Sequence, residues 1–282
     1  LAVGVLNGVT WGLTIALIAL GLFLILGLLE VINIAHGSLY MLGAVVGWFV
    51  VDATGSFLLA VVVAPVVVGL LGVVVERGIL RRIEEDVPIT LIATFGLMLV
   101  FQQLALILFG PGTRPIPAPT DARIVVGSIT YSAYRLGIAA VSLVLIAALS
   151  VGLRSTRHGL WMRGVWQDRE TARAMGVPVS RVSMLTFGLG AALAALAGVL
   201  IAPVVSVNHL MGLDVLAIAF IVVIVGGLGS MRGVLIASLG YALLENLGSI
   251  FISPVEARLL TLVILIAIVV IRPDGIVTGA SS

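Results

Sequence analysis

Apolar blocks of helix length succeed one another along the chain, at about 11–29, 37–51, 57–75, 88–109, 135–153, 182–205, 214–229, 234–252 and 256–271, with polar residues gathered between them. A spanning helix takes about 20 apolar residues, so the blocks predict eight or nine crossings of a bilayer. The 61% hydrophobic and 10% charged residues agree, since soluble domains carry roughly 25% charged residues. Only helices and closed barrels satisfy their backbone in lipid, and these blocks lack the strict alternation of a barrel. The expectation is an all-α integral membrane protein: one bundle over 1–282 of about 8–9 transmembrane helices, some short or broken. The first block reads as a span rather than a cleaved leader, being long, without a basic flank, and followed by further spans.

All 15 basic residues are arginine, and there is no lysine or cysteine. A phosphate-binding loop of the G-K-[ST] kind needs its lysine, so this chain carries no such ATPase. Without thiols it has no disulfide framework, thiol nucleophile or thiolate metal site. The pI near 9.5 reflects loop arginines rather than a nucleic-acid surface. Arg154, Arg157, Arg163, Arg169, Arg173 and Arg181 crowd into 154–181, which the positive-inside rule places in the cytoplasm. Arg77, Arg81, Arg82, Arg232 and the tail after Arg272 then fall on the same side. The proline- and glycine-rich loop 110–134 falls outside, despite Arg114 and Arg123. Nine spans put the N-terminus outside and the C-terminus inside; eight, with a re-entrant block, would move one end.

Small residues recur every four positions at Gly4, Gly8, Gly12 and Ala16, at Gly43 and Gly47, and at Gly190, Ala194 and Gly198. This spacing lets helix backbones approach closely in lipid and points to packing within the chain.

The stretch Asn33-Ile34-Ala35-His36-Gly37-Ser38 places polar groups against a block, 37–51, too short for a roughly 30 Å core at 1.5 Å per residue. It is expected to lie partly inside the membrane at a helix break. Two readings stand. Asn33, His36, Gly37, Ser38 and Tyr40 line a solute path, since buried polar groups usually face a cavity, or they form a structural turn bonded to neighbouring carbonyls. A lone histidine without ligand spacing makes neither a metal nor a catalytic site.

Within 154–181, Asp168 suits an N-cap, Glu170 the first turn, and Gly176 with Pro178 a helix stop. The spacing predicts a two-turn helix with Ala172, Ala174 and Met175 as its small face, either docking in a groove of another protein or serving as a linker. Gly226, Gly227 and Gly229 predict a tight turn with Arg232 in water, or a hinge. Glu30 and Glu245 are the only plausible embedded carboxylates, Gln102 and Gln103 suit inter-helix hydrogen bonds, and Asn208 and His209 lie at the outer side.

Glu170-Thr171-Ala172-x-x-x-Gly176 resembles the E-A-A-x-x-x-G loop of ABC importer permeases, with Thr171 in place of the middle alanine. NIAHGSLYMLGA, ARAMGVPVSRVSMLTFGLGAALAALAGVL and VVIVGGLGSMRGVLIASLG are similar to the H-type permease of high-affinity branched-chain amino acid importers, the Liv family, over nearly the whole chain. The resemblance implies that Glu170, Thr171, Ala172, Arg173, Met175 and Gly176 couple to an ATPase. It implies a heterodimer with a second permease, two cytoplasmic ATPase subunits that use ATP and magnesium, and an extracytoplasmic solute-binding protein, in a bacterial or archaeal cytoplasmic membrane. This chain itself then holds no cofactor and catalyses nothing. Urea or a short amide is the alternative solute within that machinery, and an ion-coupled secondary transporter the alternative class.

Overall fold

The computed structural model describes residues 1–29, 32–83, 86–127, 129–272 and 275–276; Glu30 lies outside them. Eleven α-helices occur among the described residues. The first, α1 (Ala2–Leu29), starts nine residues before the apolar block suggested, because Gly4 and Gly8 continue the helix instead of preceding it. Then follow α2 (His36–Thr54), α3 (Phe57–Gly78) and α4 (Val87–Phe109), with a 3-10 turn at Leu80–Arg82 after α3. A short antiparallel hairpin, β1 (Arg123–Val126) and β2 (Ile129–Ser132), occupies the long loop, where the sequence suggested no regular structure. Its alternation spans only four residues per strand, too short to register against the surrounding prolines and glycines.

The second half comprises α5 (Ala133–Ser155), α6 (Arg157–Gln167), α7 (Arg169–Ala174), α8 (Val179–Val205), α9 (Met211–Gly226), α10 (Met231–Gly248) and α11 (Pro254–Ile271). Each of the nine apolar blocks is a helix. Seven of these are long and apolar enough to cross a bilayer, fewer than the eight or nine crossings expected: α9, with 16 residues, is a shorter apolar helix, and α10, with 18 residues including Arg232 and Glu245, is not among the seven.

Close backbone contacts organise the bundle. A Cβ at Gly8 or Gly12 would press on the Leu243 or Leu239 backbone of α10, and one at Gly43 or Gly198 would overlap backbone of α8 or α2, respectively. Gly21 of α1 meets the Gly190 carbonyl of α8 in the same way. The small-residue repeats are thus spent within the chain. Burial follows: α1 is enclosed, with Ile15 to Leu20 and Leu22 fully buried, whereas α4, α5 and α11 keep large apolar side chains such as Ile107, Val144 and Val270 on the outer surface. That is the pattern expected when lipid or a partner subunit covers the periphery.

The arginines separate by end. Arg77, Arg81 and Arg82 close α3 beside α8, where Arg81 Nη2 donates to the Ser180 carbonyl at 2.9 Å. Arg154 to Arg181, Arg232 and Arg272 share that end; Arg114, Arg123, Arg135 and Arg258 belong to the other.

Candidate functional site

Two breaks meet in the middle of the bundle. The turn before α2 is built by Asn33, whose Oδ1 accepts the Ala35 N–H at 3.1 Å while the His36 N–H donates to the Asn33 carbonyl at 3.2 Å. His36 Nε2 lies 3.0 Å from the Ile18 carbonyl in the centre of α1. A carbonyl only accepts, so Nε2 carries the ring proton. Ser38 Oγ reaches the Met98 carbonyl of α4 at 3.5 Å, and Thr94 Oγ1 donates to the Ile32 carbonyl at 3.3 Å. Asn33, His36 and Ser38 are buried, and Gly37 packs against the Gly212 backbone at the start of α9. Among the described residues, Asn33 Nδ2 and His36 Nδ1 find no hydrogen-bond partner. Of the five residues singled out in the sequence, Tyr40 borders a cavity.

That cavity opens at the end of the bundle opposite the arginine-rich segment. It holds about 230 Å³ and is bordered by Trp11, Tyr40, Ser206, Asn208, Asp214, Glu245 and Arg258 among others. Trp11 Nε1 donates to Glu245 Oε2 at 3.2 Å. Arg258 Nη2 donates to the Asp214 carbonyl at 3.2 Å and stands 3.7 Å from its carboxylate. A neighbouring cavity of about 300 Å³ shares Trp11, Val205 and Glu245 and continues over Ile201 and Val204 to Asn7 and Arg135. Arg135 Nη1 donates to Asn7 Oδ1 at 2.7 Å, as does Tyr131 Oη at 2.9 Å. Sequence reasoning passed over Asp214, Arg258 and Trp11. The available signal was charge inside or at the margin of apolar blocks, where an ionised group usually faces water or a counter-charge.

Above this cavity the long loop is anchored. Arg114 and Val207 exchange backbone hydrogen bonds at 2.9 Å, and the Arg114 guanidinium stacks 4.5 Å from the Trp48 ring.

At the opposite end, 154–181 holds one helix more than its caps suggested. The sequence of α6 has Trp161, Val165 and Trp166 among arginines and glycines, too amphipathic to stand out as an apolar block. Thr156 Oγ1 caps it by accepting the Gly159 N–H at 3.0 Å, and Trp166 packs edge-on against Phe23 of α1, 5.1 Å between ring centres. The short α7 that follows has Asp168 at its N-cap, accepting from the Glu170 and Thr171 N–H groups at 3.0 Å each. The Thr171 hydroxyl also donates to Asp168, and this bond, with those amides, holds the exposed carboxyl below the usual carboxylate range. Gly176 ends the turn at φ +84°. Ala172 points inward to Val165, Val179 and Val182, so the outer face of α7 consists of Met175, 80% exposed, with Glu170 and Arg173 exposed nearby.

The Gly226–Gly229 segment turns α9 into α10. Gly226 and Gly233 touch backbone to backbone, Gly227 takes φ +94°, and the Ser230 side chain caps α10 by accepting the Gly233 N–H at 3.1 Å. Arg232 is exposed there. Among the described residues no group of three or more His, Asp or Glu could hold a metal ion.

Residues 4–270 match the family described as branched-chain amino acid transport system / permease component. The chain is 32% identical over 286 residues to the high-affinity branched-chain amino acid transport system permease protein LivH of Escherichia coli K12, covering 96% of this chain and 93% of that protein. It is 27% identical to the corresponding permease protein BraD of Pseudomonas aeruginosa, at the same coverage. It is also 27% identical to a probable branched-chain amino acid transport permease protein LivH of Methanocaldococcus jannaschii, covering 93% of this chain and 88% of the other. No solved structure matches. Seven apolar helices of spanning length, helix breaks meeting inside the bundle and this match over nearly the full length agree: the chain is a multi-pass membrane protein that belongs to the permease family of branched-chain amino acid transport systems.

Proposed function

We propose that this chain is one permease subunit of an ATP-driven importer that moves branched-chain amino acids, delivered by an extracytoplasmic solute-binding protein, across the cytoplasmic membrane. It would pair with a second, homologous permease and dock on two ATPase subunits, which bind the ATP and magnesium. The observation that carries the reading is the mounting of α7. A six-residue helix is too short to persist alone in water, yet it is capped at both ends, seated on α6 and α8 through Ala172, and presents Met175 outward. Such a helix transmits a push from a partner instead of absorbing it. Because the chain has no lysine and hence no phosphate-binding loop of its own, the push must originate elsewhere.

In this reading Glu170, Thr171, Ala172, Arg173, Met175 and Gly176 form the coupling segment. The Gly226, Gly227 and Gly229 turn lets α9 and α10 move as one hairpin. Tyr40 lines the solute path, and Asn33, His36, Gly37 and Ser38 fix the place where α2 begins inside the bundle. The test is reconstitution of the complete complex in liposomes, with ATP inside and the binding protein outside. Radiolabelled leucine, isoleucine or valine should accumulate only with both, and a protonophore should leave the initial rate unchanged. A left-handed Gly176 disfavours side chains by about 1–2 kcal/mol, so Gly176→Leu should lower uptake per assembled complex several-fold while Gly176→Asn is tolerated. Uptake that needs an ion gradient but no ATP would overturn the reading.

A further inference from the structure

Charged groups of both signs converge on one cavity from three helices. Glu245 comes from the end of α10, Arg258 from the first turns of α11, and Asp214 from the first turn of α9. In helices this apolar such charges are expensive unless they meet water, one another or a ligand. Their mutual pairing is poor: the Arg258–Asp214 separation is 3.7 Å, and the Asp214 side chain stays 73% exposed. Glu245 is held by Trp11 Nε1.

Two further observations mark the place as built for an occupant. The Tyr241 side chain is fully buried, and its hydroxyl interacts with both Glu245 and Arg258, tying the two charged groups to one polar centre. Ser206, on the cavity wall, is the one described non-glycine residue at positive φ, +58°. Strained backbone of this kind persists where the surroundings enforce it, commonly at ligand sites.

We infer that this cavity is a membrane-embedded recognition site for the zwitterion of an aliphatic amino acid, the first station of the solute after it leaves the binding protein. Arg258 takes the α-carboxylate, releasing its long contact with Asp214. Glu245, oriented by Trp11, takes the α-ammonium group. The adjoining cavity over Ile201, Val204 and Val205 receives the aliphatic side chain, since the two cavities share Trp11, Val205 and Glu245. Opposite charges on one wall select a zwitterion over urea or a neutral amide, which would leave both unpaired. The inference rests on the importer reading above and adds to it a solute-reading role for the permease itself.

The test uses the complete reconstituted complex and reads uptake of a labelled aliphatic amino acid per assembled complex, with assembly and melting temperature recorded alongside. Glu245→Gln and Arg258→Gln should each reduce uptake per complex tenfold or more, with most of the loss appearing when binding protein is saturating. Asp214→Asn changes an exposed side chain, folds regardless of what happens at Glu245 and Arg258, and should change uptake about threefold. If Glu245→Gln does not assemble, Arg258→Gln and Asp214→Asn decide. Uptake within twofold of wild type in every variant that assembles, or a loss fully explained by fewer assembled complexes, overturns the site. Absence of amino acid uptake by the wild-type complex would instead overturn the importer reading itself.

Discussion

His36 shows how much one side chain can determine about a helix that begins inside a bundle. Its ring bonds the Ile18 carbonyl in mid-helix α1 and lies beside Gly21, which packs against the Gly190 carbonyl of α8. Tyr40, one turn further on, borders the charged cavity that Asp214 also lines. The two should therefore respond oppositely to substitution. His36→Ala removes a buried hydrogen bond, at about 1–3 kcal/mol for a group left unsatisfied, and should lower the melting temperature while uptake per assembled complex stays within twofold. Tyr40→Phe keeps the packing and should lower uptake instead. Parallel melting and transport assays separate them, and a reversed pattern would assign the solute path to His36.

Among the elements, α2 and α8 depend on missing side chains. Gly43 and Gly198 sit where a Cβ would overlap the opposing backbone, whereas nothing lies within 4 Å of a Cβ at Gly240. Gly43→Ala should thus separate α2 from α8 and cost about 1–3 kcal/mol through overpacking, visible as reduced yield of the assembled subunit. Gly240→Ala should be neutral or slightly stabilising, because alanine favours a helix by about 1 kcal/mol over glycine. Equal yields from both would show that the contact relaxes freely. The repeat containing Gly43 was legible in the sequence because small residues four apart mark one helix face. Its partner was not: spacing identifies a face that can approach another closely, and says nothing about which helix comes to it.

For the molecule as a whole, arginine placement and helix count set the sidedness. Single cysteines at Ser155 and Thr120, in a chain without native cysteine, should react with an impermeant maleimide from opposite sides of the membrane; labelling from one side would invert the order of the spans. The nine apolar blocks as helices, the caps at Asp168 and Gly176 and the tight glycine turn after α9 were all readable, since hydropathy and capping are local properties, although only seven of those helices reach spanning length and hydropathy. The early start of α1, the amphipathic α6 and the β1–β2 hairpin were not, because tertiary contacts stabilise residues whose local signal is weak. The charged cavity escaped for a related reason. Asp214, Glu245 and Arg258 lie 31 and 13 residues apart in sequence and meet only when three helices converge.

The contact between α1 and α10 also has a consequence in time. Trp11 and Glu245 are separated by 234 positions, which ribosomes translating about 5–20 residues per second take roughly 10–50 s to complete. Throughout that interval the first helix is already made while the partner for its glycine face does not yet exist. Biogenesis of this subunit therefore includes a waiting period, during which Gly4, Gly8 and Gly12 rest against lipid or the insertion machinery before the helix that covers them emerges.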